Sequence, residues 1–254
     1  MTTREDLNRY SRAAARISNA ARADLEAFFS GLDLSRPEWA RDELIEFLPR
    51  LTYTYGEATA TAAAEWFEEL RTGAVGGTYS AILADPMDEA RIVGEVRYAA
   101  GHLFTDNPQK TLALLSGATQ KYVQYMGRAT VARNAEHDPR KPRFARVPSG
   151  AKTCAWCTML ASRGWVYHSK ELAGGSGHEF HDDCDCQIVP EWERAVHHIS
   201  GYDPDAMYDK YLAARRDVEQ AGESATEANI AAALRRRFPN DFTDGVHEDA
   251  SVTG

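Results

Sequence analysis

Cysteine is scarce and confined in this chain: 4 occur in 254 residues, all between Cys154 and Cys186. A disulfide framework distributed through the fold is therefore excluded. No apolar run approaches the roughly 18 residues that a membrane-crossing helix needs. The opening Met1-Thr2-Thr3-Arg4-Glu5-Asp6 also lacks the apolar centre of a secretory signal. These absences imply synthesis in a cytosol, where thiols stay reduced and metal binding is favoured over disulfides. Excess positive charge is missing too, since the net charge is −9. That argues against an electrostatic grip on nucleic acid by the whole protein. Lysine is rare, at 6 against 23 arginines, a bias that fits a GC-rich genome better than a chemical role.

What remains is the composition of an ordinary folded protein, 43% hydrophobic and 26% charged, long enough for one or two domains. Apolar residues recur at helical spacing in Leu7, Tyr10, Ala14, Ile17, Ala21, Leu25 and Phe28, which predicts a helix over 4–30 ended by Gly31. A second helical block is expected from Pro37, with Ser35 as its cap, running to Leu70 and kinked or broken at Pro49. Four turn-formers (Gly73, Gly76, Gly77 and Pro86) then predict a loop. Two further helices are expected over about 87–104 and 108–134.

The pattern changes at His137-Asp138-Pro139-Arg140-Lys141-Pro142, which reads as a boundary. Short strand-like pieces follow at Phe144–Val147, Trp165–His168 and Gln187–Val189, with a glycine-rich loop over 173–177 between the last two. Helices return over about 204–220, capped by Asp203, and 225–237, opened by the S-x-x-E form of Ser224-Ala225-Thr226-Glu227. The expected fold is α+β and mainly α. A helical scaffold occupies 1–137, a small cysteine/histidine α+β module 138–200, and C-terminal helices with an acidic tail 201–254.

The module holds the chemistry. Cys154-Ala155-Trp156-Cys157 and His181-Asp182-Asp183-Cys184-Asp185-Cys186 form a C-x2-C…H-x2-C-x-C pattern. Sulfur and imidazole donors at this spacing suit a tetrahedral zinc site, whereas magnesium and calcium take oxygen. A tight turn would aim Cys154 and Cys157 at one point, and alternation along a strand would put Cys184 and Cys186 on one side. His181 makes a fifth candidate. Two ligand sets fit: four thiolates with His181 outside the coordination sphere, or His181 in place of one cysteine of the C-x-C.

A closed site of this kind supplies folding free energy to a glycine-rich segment. No H-E-x-x-H occurs, and no H-x-E precedes the C-x2-C as zinc deaminases require. A structural rather than catalytic site is therefore expected. The run Arg140, Lys141, Arg143 and Arg146 supplies candidate phosphate contacts.

The segment Val147–Cys157, the Gly164-Trp165-Val166-Tyr167 stretch and His181–Pro190 together resemble the C-terminal core of tailed-phage minor head proteins. These are head-morphogenesis proteins similar to the F protein of phage Mu, in the form found in phages of actinobacteria. The resemblance covers about 145–192, and the helical half matches only in general character. Asp185 departs from it, since a basic residue is common there in relatives. The resemblance implies a non-enzymatic, portal-associated component of the virion, made in the host bacterial cytoplasm. Its partners would be the portal or major capsid protein and the packaged DNA, with no membrane and no small-molecule substrate. Cys154, Cys157, His181, Cys184 and Cys186 would be its structural zinc ligands. A zinc-dependent hydrolase or nuclease, or a toxin domain carried in the virion, is the alternative that the nearby histidines and aspartates suggest.

Overall fold

The computed structural model describes residues 2–150, 152–166, 184–193 and 198–245. The first helix, α1 (Arg4–Ser30), starts in a reciprocal cap: Thr3 Oγ1 accepts the Asp6 N–H, and the Asp6 carboxylate accepts the Thr3 N–H. Its buried stripe is Leu7, Tyr10, Ala14, Ser18, Ala21, Leu25 and Phe29. The stripe thus turns by one residue from the expected Ile17 and Phe28. Phe28 instead stacks on Phe47 at the edge of the core.

Helix α2 (Pro37–Val75) runs unbroken through Pro49, so of the kink or break expected there the break does not occur. A proline inside a helix costs about 3 kcal/mol. Leu44, Leu48 and Leu51 are all buried around it, and each contributes about 1.5–3 kcal/mol on burial, so packing wins. The cap also differs from expectation. Ser35 bonds to Asp33, and Arg36 precedes the helix without a side-chain cap. At its far end Gly76 and Gly77 take positive φ and turn the chain back. The returning segment is pinned to α4 (Gln109–His137), with Asn134 bonding both the N–H and the C=O of Ile82. Between them lie α3 (Glu89–Ala99) and a 3-10 turn (Ala100–Phe104), so the helix expected over 87–104 is shorter and ends in a tighter coil.

Helix α4 is the axis of the fold and packs on α1, α2 and α3. Its second half is buried almost all round, from Tyr122 to Ala135. Gly127 lets it approach closely: a Cβ there would lie 2.5 Å from Tyr10 Oη and 2.7 Å from Thr59 Cγ2.

After a turn at 138–142 the chain forms β1 (Arg143–Pro148), paired antiparallel with β2 (Cys186–Glu191). The register sets Pro148 opposite Cys186 and Arg143 opposite Glu191. Two of the expected strands are thereby found, each longer than expected. Trp165 and Val166 are not in a strand, and the rest of that expected strand lies outside the described residues.

One hydrophobic cluster joins Leu7, Tyr10, Trp66, Phe67 and Val131 of the helices to Phe144, Val147, Ile188 and Val189 of the strands. Buried contacts therefore cross the boundary expected near residue 138. Asp138 itself is fully buried, accepting from Arg71 Nε at 2.9 Å and Trp192 Nε1 at 2.8 Å.

A short helix, α5 (Ala155–Ala161), packs on β1 and on the C-terminal pair α6 (Pro204–Gln220) and α7 (Glu227–Arg237). Asp203 caps α6 as expected, accepting from Ala206 N–H at 3.0 Å. Helix α7 starts later than expected, because Thr226 rather than Ser224 caps it through Asn229 N–H. No helix among the described residues is long and apolar enough to cross a membrane.

Candidate metal centre

The C-x2-C opens α5 and is not a free turn. Cys154 is the N-cap, in extended conformation, and its Sγ accepts the Cys157 N–H at 3.2 Å. Cys157 lies in the first helical turn. Cys186 begins β2, with Cys184 two residues before it, so alternation brings both sulfurs to one side. The Cys157, Cys184 and Cys186 sulfurs converge at separations of 3.2, 3.3 and 3.1 Å. Cys154 lies outside this tight trio but in the same buried cluster, against which Trp156 packs.

The approach to the cluster is held by acidic side chains. Asp185 accepts from Gly150 N–H at 2.9 Å and from Thr153 Oγ1 at 2.6 Å, which fixes the loop leading to Cys154. Asp244 accepts from Ala155 N–H at 2.9 Å and from Arg235 Nε at 2.6 Å, tying the end of the described chain to the start of α5. Asp185 therefore has a structural task where a basic residue was expected to be common.

Two arginines complete the surroundings. Arg128 of α4, 1% exposed, donates to the carbonyls of Cys186 at 2.9 Å and Cys184 at 2.6 Å, and to Gln124 Oε1 at 2.7 Å. Arg146 of β1, 0% exposed, donates from Nη2 to Cys186 Sγ at 3.1 Å. Burial lowers the pKa of Arg146, but the sulfurs of Cys186, Cys157 and Cys184 more than reverse this and leave it raised.

Without a metal, the thiols resist ionisation. Cys157 is pushed well up, first by its hydrogen bond with Cys154. Cys184 rises to about 11, first through its hydrogen bond with Cys157, and burial takes Cys186 to about 12. A divalent ion displaces such protons directly.

The arrangement fits a thiolate-held metal. In a tetrahedral zinc site with Zn–S near 2.3 Å the sulfurs stand about 3.8 Å apart, whereas a disulfide needs about 2.05 Å. The observed 3.1–3.3 Å lies nearer the first. All four thiols are free and buried. His181, like His168, His178, Asp182, Asp183, the 173–177 loop and His197, lies outside the described residues, and His198 is exposed.

The basic run does not act together. Arg140 and Lys141 are exposed, with Lys141 Nζ donating to the Glu136 carbonyl at 2.9 Å. Arg143 is half-buried and reaches the Glu193 carbonyl at 3.4 Å. Arg146, expected to offer a phosphate contact, faces the sulfurs instead and presents no surface to a nucleic acid. Both faces of β1 are covered, so every side chain from Phe144 to Pro148 is buried, and the register against β2 sets Arg146 on the face of Cys186. Arg128 was not anticipated at all. Its signal was the one charged residue in the stretch from Met126 to Ala132, which otherwise holds only small, apolar or hydroxyl side chains.

A groove of about 680 Å³ lies elsewhere, between α2, α3 and α4, lined by residues that include Ile45, Pro49, Tyr53, Met87 and Met126 and none of the cysteines.

A family model described as "VG15 protein" matches residues 1–214. The chain belongs to the VG15 protein family. Among curated proteins it is similar to the Gene 15 protein of Mycobacterium phage D29, 31% identical over 119 residues, covering 35% of this chain and 43% of that protein. It is also similar to the Gene 15 protein of Mycobacterium phage L5, 29% identical over 126 residues, with the same coverage of 35% and 43%. The match thus spans less than half the length of either relative. No solved structure matches the chain. This VG15 protein is a phage protein.

Proposed function

We propose that this VG15 protein is a non-enzymatic minor component of a tailed-phage head, working in head assembly near the portal or inner capsid, with one structural zinc. The observation that carries the reading is the buried convergence of three cysteine sulfurs, with Cys154 in the same cluster. Its four sulfur-bearing residues are at most 5% exposed, and a site that turns over substrate keeps an open coordination position. Zinc, when bound, would cross-link α5 to the start of β2. Membership of a phage family and the resemblance of 145–192 to minor head proteins support placing it in the virion. Its partners on this reading are the portal or major capsid protein and packaged DNA, for which Arg140 and Lys141 are the exposed members of the basic run.

Mass spectrometry of purified virions and procapsids tests the assignment, and the protein is expected in both at low copy number. Absence from both overturns it. Metal-dependent cleavage of nucleic acid that is lost in His181→Ala would instead favour a zinc-dependent hydrolase or toxin domain.

A further inference from the structure

The metal reading of the cysteine cluster leaves two ligand sets open, and the buried charges around it choose between them. We propose that all four cysteines bind one zinc as a dianionic tetrathiolate, with Arg128 and Arg146 as its two buried counter-charges and His181 outside the coordination sphere.

Four thiolates around a divalent ion carry a net charge of −2, whereas three thiolates and a neutral imidazole carry −1. Two guanidinium groups, fixed at +1 each because arginine does not deprotonate in proteins, balance the first set. A buried cation persists only with compensating charge and hydrogen bonds. Arg146 supplies such a bond to Cys186 Sγ, and Arg128 holds the carbonyls on both sides of the C-x-C.

The other buried carboxylates in the described structure are turned elsewhere. Asp138 is engaged by Arg71 and Trp192. Glu191 is an odd number of positions along β2 from Cys186 and so projects from the opposite face of the strand. Arg146 pairs with Ile188, an even step from Cys186, which puts its side chain on the sulfur face. Cys154 is the donor available to close the tetrahedron, since it shares the buried cluster and already bonds to Cys157.

The proposal rests on the metal reading and not on the head assignment. X-ray absorption at the zinc edge of the full, reduced chain needs no variant: four sulfurs at about 2.3 Å are expected, and three sulfurs with one nitrogen overturn it. In the cobalt-substituted chain, Cys154→Ser should lower thiolate-to-cobalt charge-transfer absorption by about a quarter, as one ligand of four. His181→Ala should leave that absorption unchanged, and the reverse pattern overturns the ligand set. Arg146→Met should weaken zinc binding by about 10–100-fold in chelator competition, with Arg146→Lys regaining most of the loss. Unchanged affinity in Arg146→Met overturns the counter-charge role. A chain that binds no zinc overturns the whole inference, while the presence of the protein in virions stands or falls separately.

Discussion

The guanidinium of Arg128 bonds to the main-chain carbonyl of Cys186 at 2.9 Å, joining the central helix α4 to the first residue of β2. A second bond, to the Cys184 carbonyl at 2.6 Å, makes Arg128 a clamp on both cysteines of the C-x-C. The cysteine end of the molecule is thus built onto the helical scaffold through a fully buried charge. Arg128→Met strands two buried carbonyls, each costing about 1–3 kcal/mol. Denaturant unfolding of the metal-loaded chain should show a loss on the order of 2–6 kcal/mol. A change under 0.5 kcal/mol would deny the clamp.

Asp138 reads in the sequence as part of a charged, proline-flanked linker, yet it is a rivet. Its carboxylate takes Arg71 Nε, Trp192 Nε1 and the Arg140 N–H. Removing one partner of a buried ion pair leaves the other charge uncompensated, so Asp138→Ala should cost about 3–5 kcal/mol in the same assay. A solvated linker would tolerate the change without measurable loss.

Two helix glycines should answer differently to alanine. Alanine gains up to about 1 kcal/mol of helix propensity. At Gly127 the new methyl meets Tyr10 Oη at 2.5 Å, and Tyr10 is stacked on Trp66 at 4.5 Å and has no room to retreat. Overpacking costs about 1–3 kcal/mol, so Gly127→Ala should be net destabilising by about 1–2 kcal/mol. Gly56→Ala would press on Met126 Sδ and Cγ, part of an unbranched side chain with three rotatable bonds. Its effect should fall within about 0.5 kcal/mol of zero, because the gain in propensity offsets the repacking. Paired melting curves of the two variants check this.

Much of the scaffold was legible in the sequence where local chemistry decides structure. Helix α1 spans Arg4–Ser30 because a long 3.6-residue stripe, closed by Gly31, admits one reading. Helix α6 starts at Pro204 because Asp203 and the proline specify its first turn without outside help. The failures arise where tertiary contacts overrule such signals. Pro49 does not break α2, since the leucines around it are worth more than the proline costs. Ser224 loses the cap of α7 to Thr226, two residues later.

At the site, the cysteine spacing marked the cluster, and strand alternation put Cys184 and Cys186 together. The helix beginning at Ala155 was missed, because seven residues are too few to show periodicity. The task of Arg146 was hidden as well. In sequence it is one more cation in a basic run, and only the register of β1 against β2 turns it toward sulfur.

Native mass spectrometry of the reduced full-length chain tests the metal centre most directly. One zinc per chain is expected, lost together with the fold of the cysteine module in Cys157→Ser. A folded, metal-free chain carrying four free thiols would contradict it.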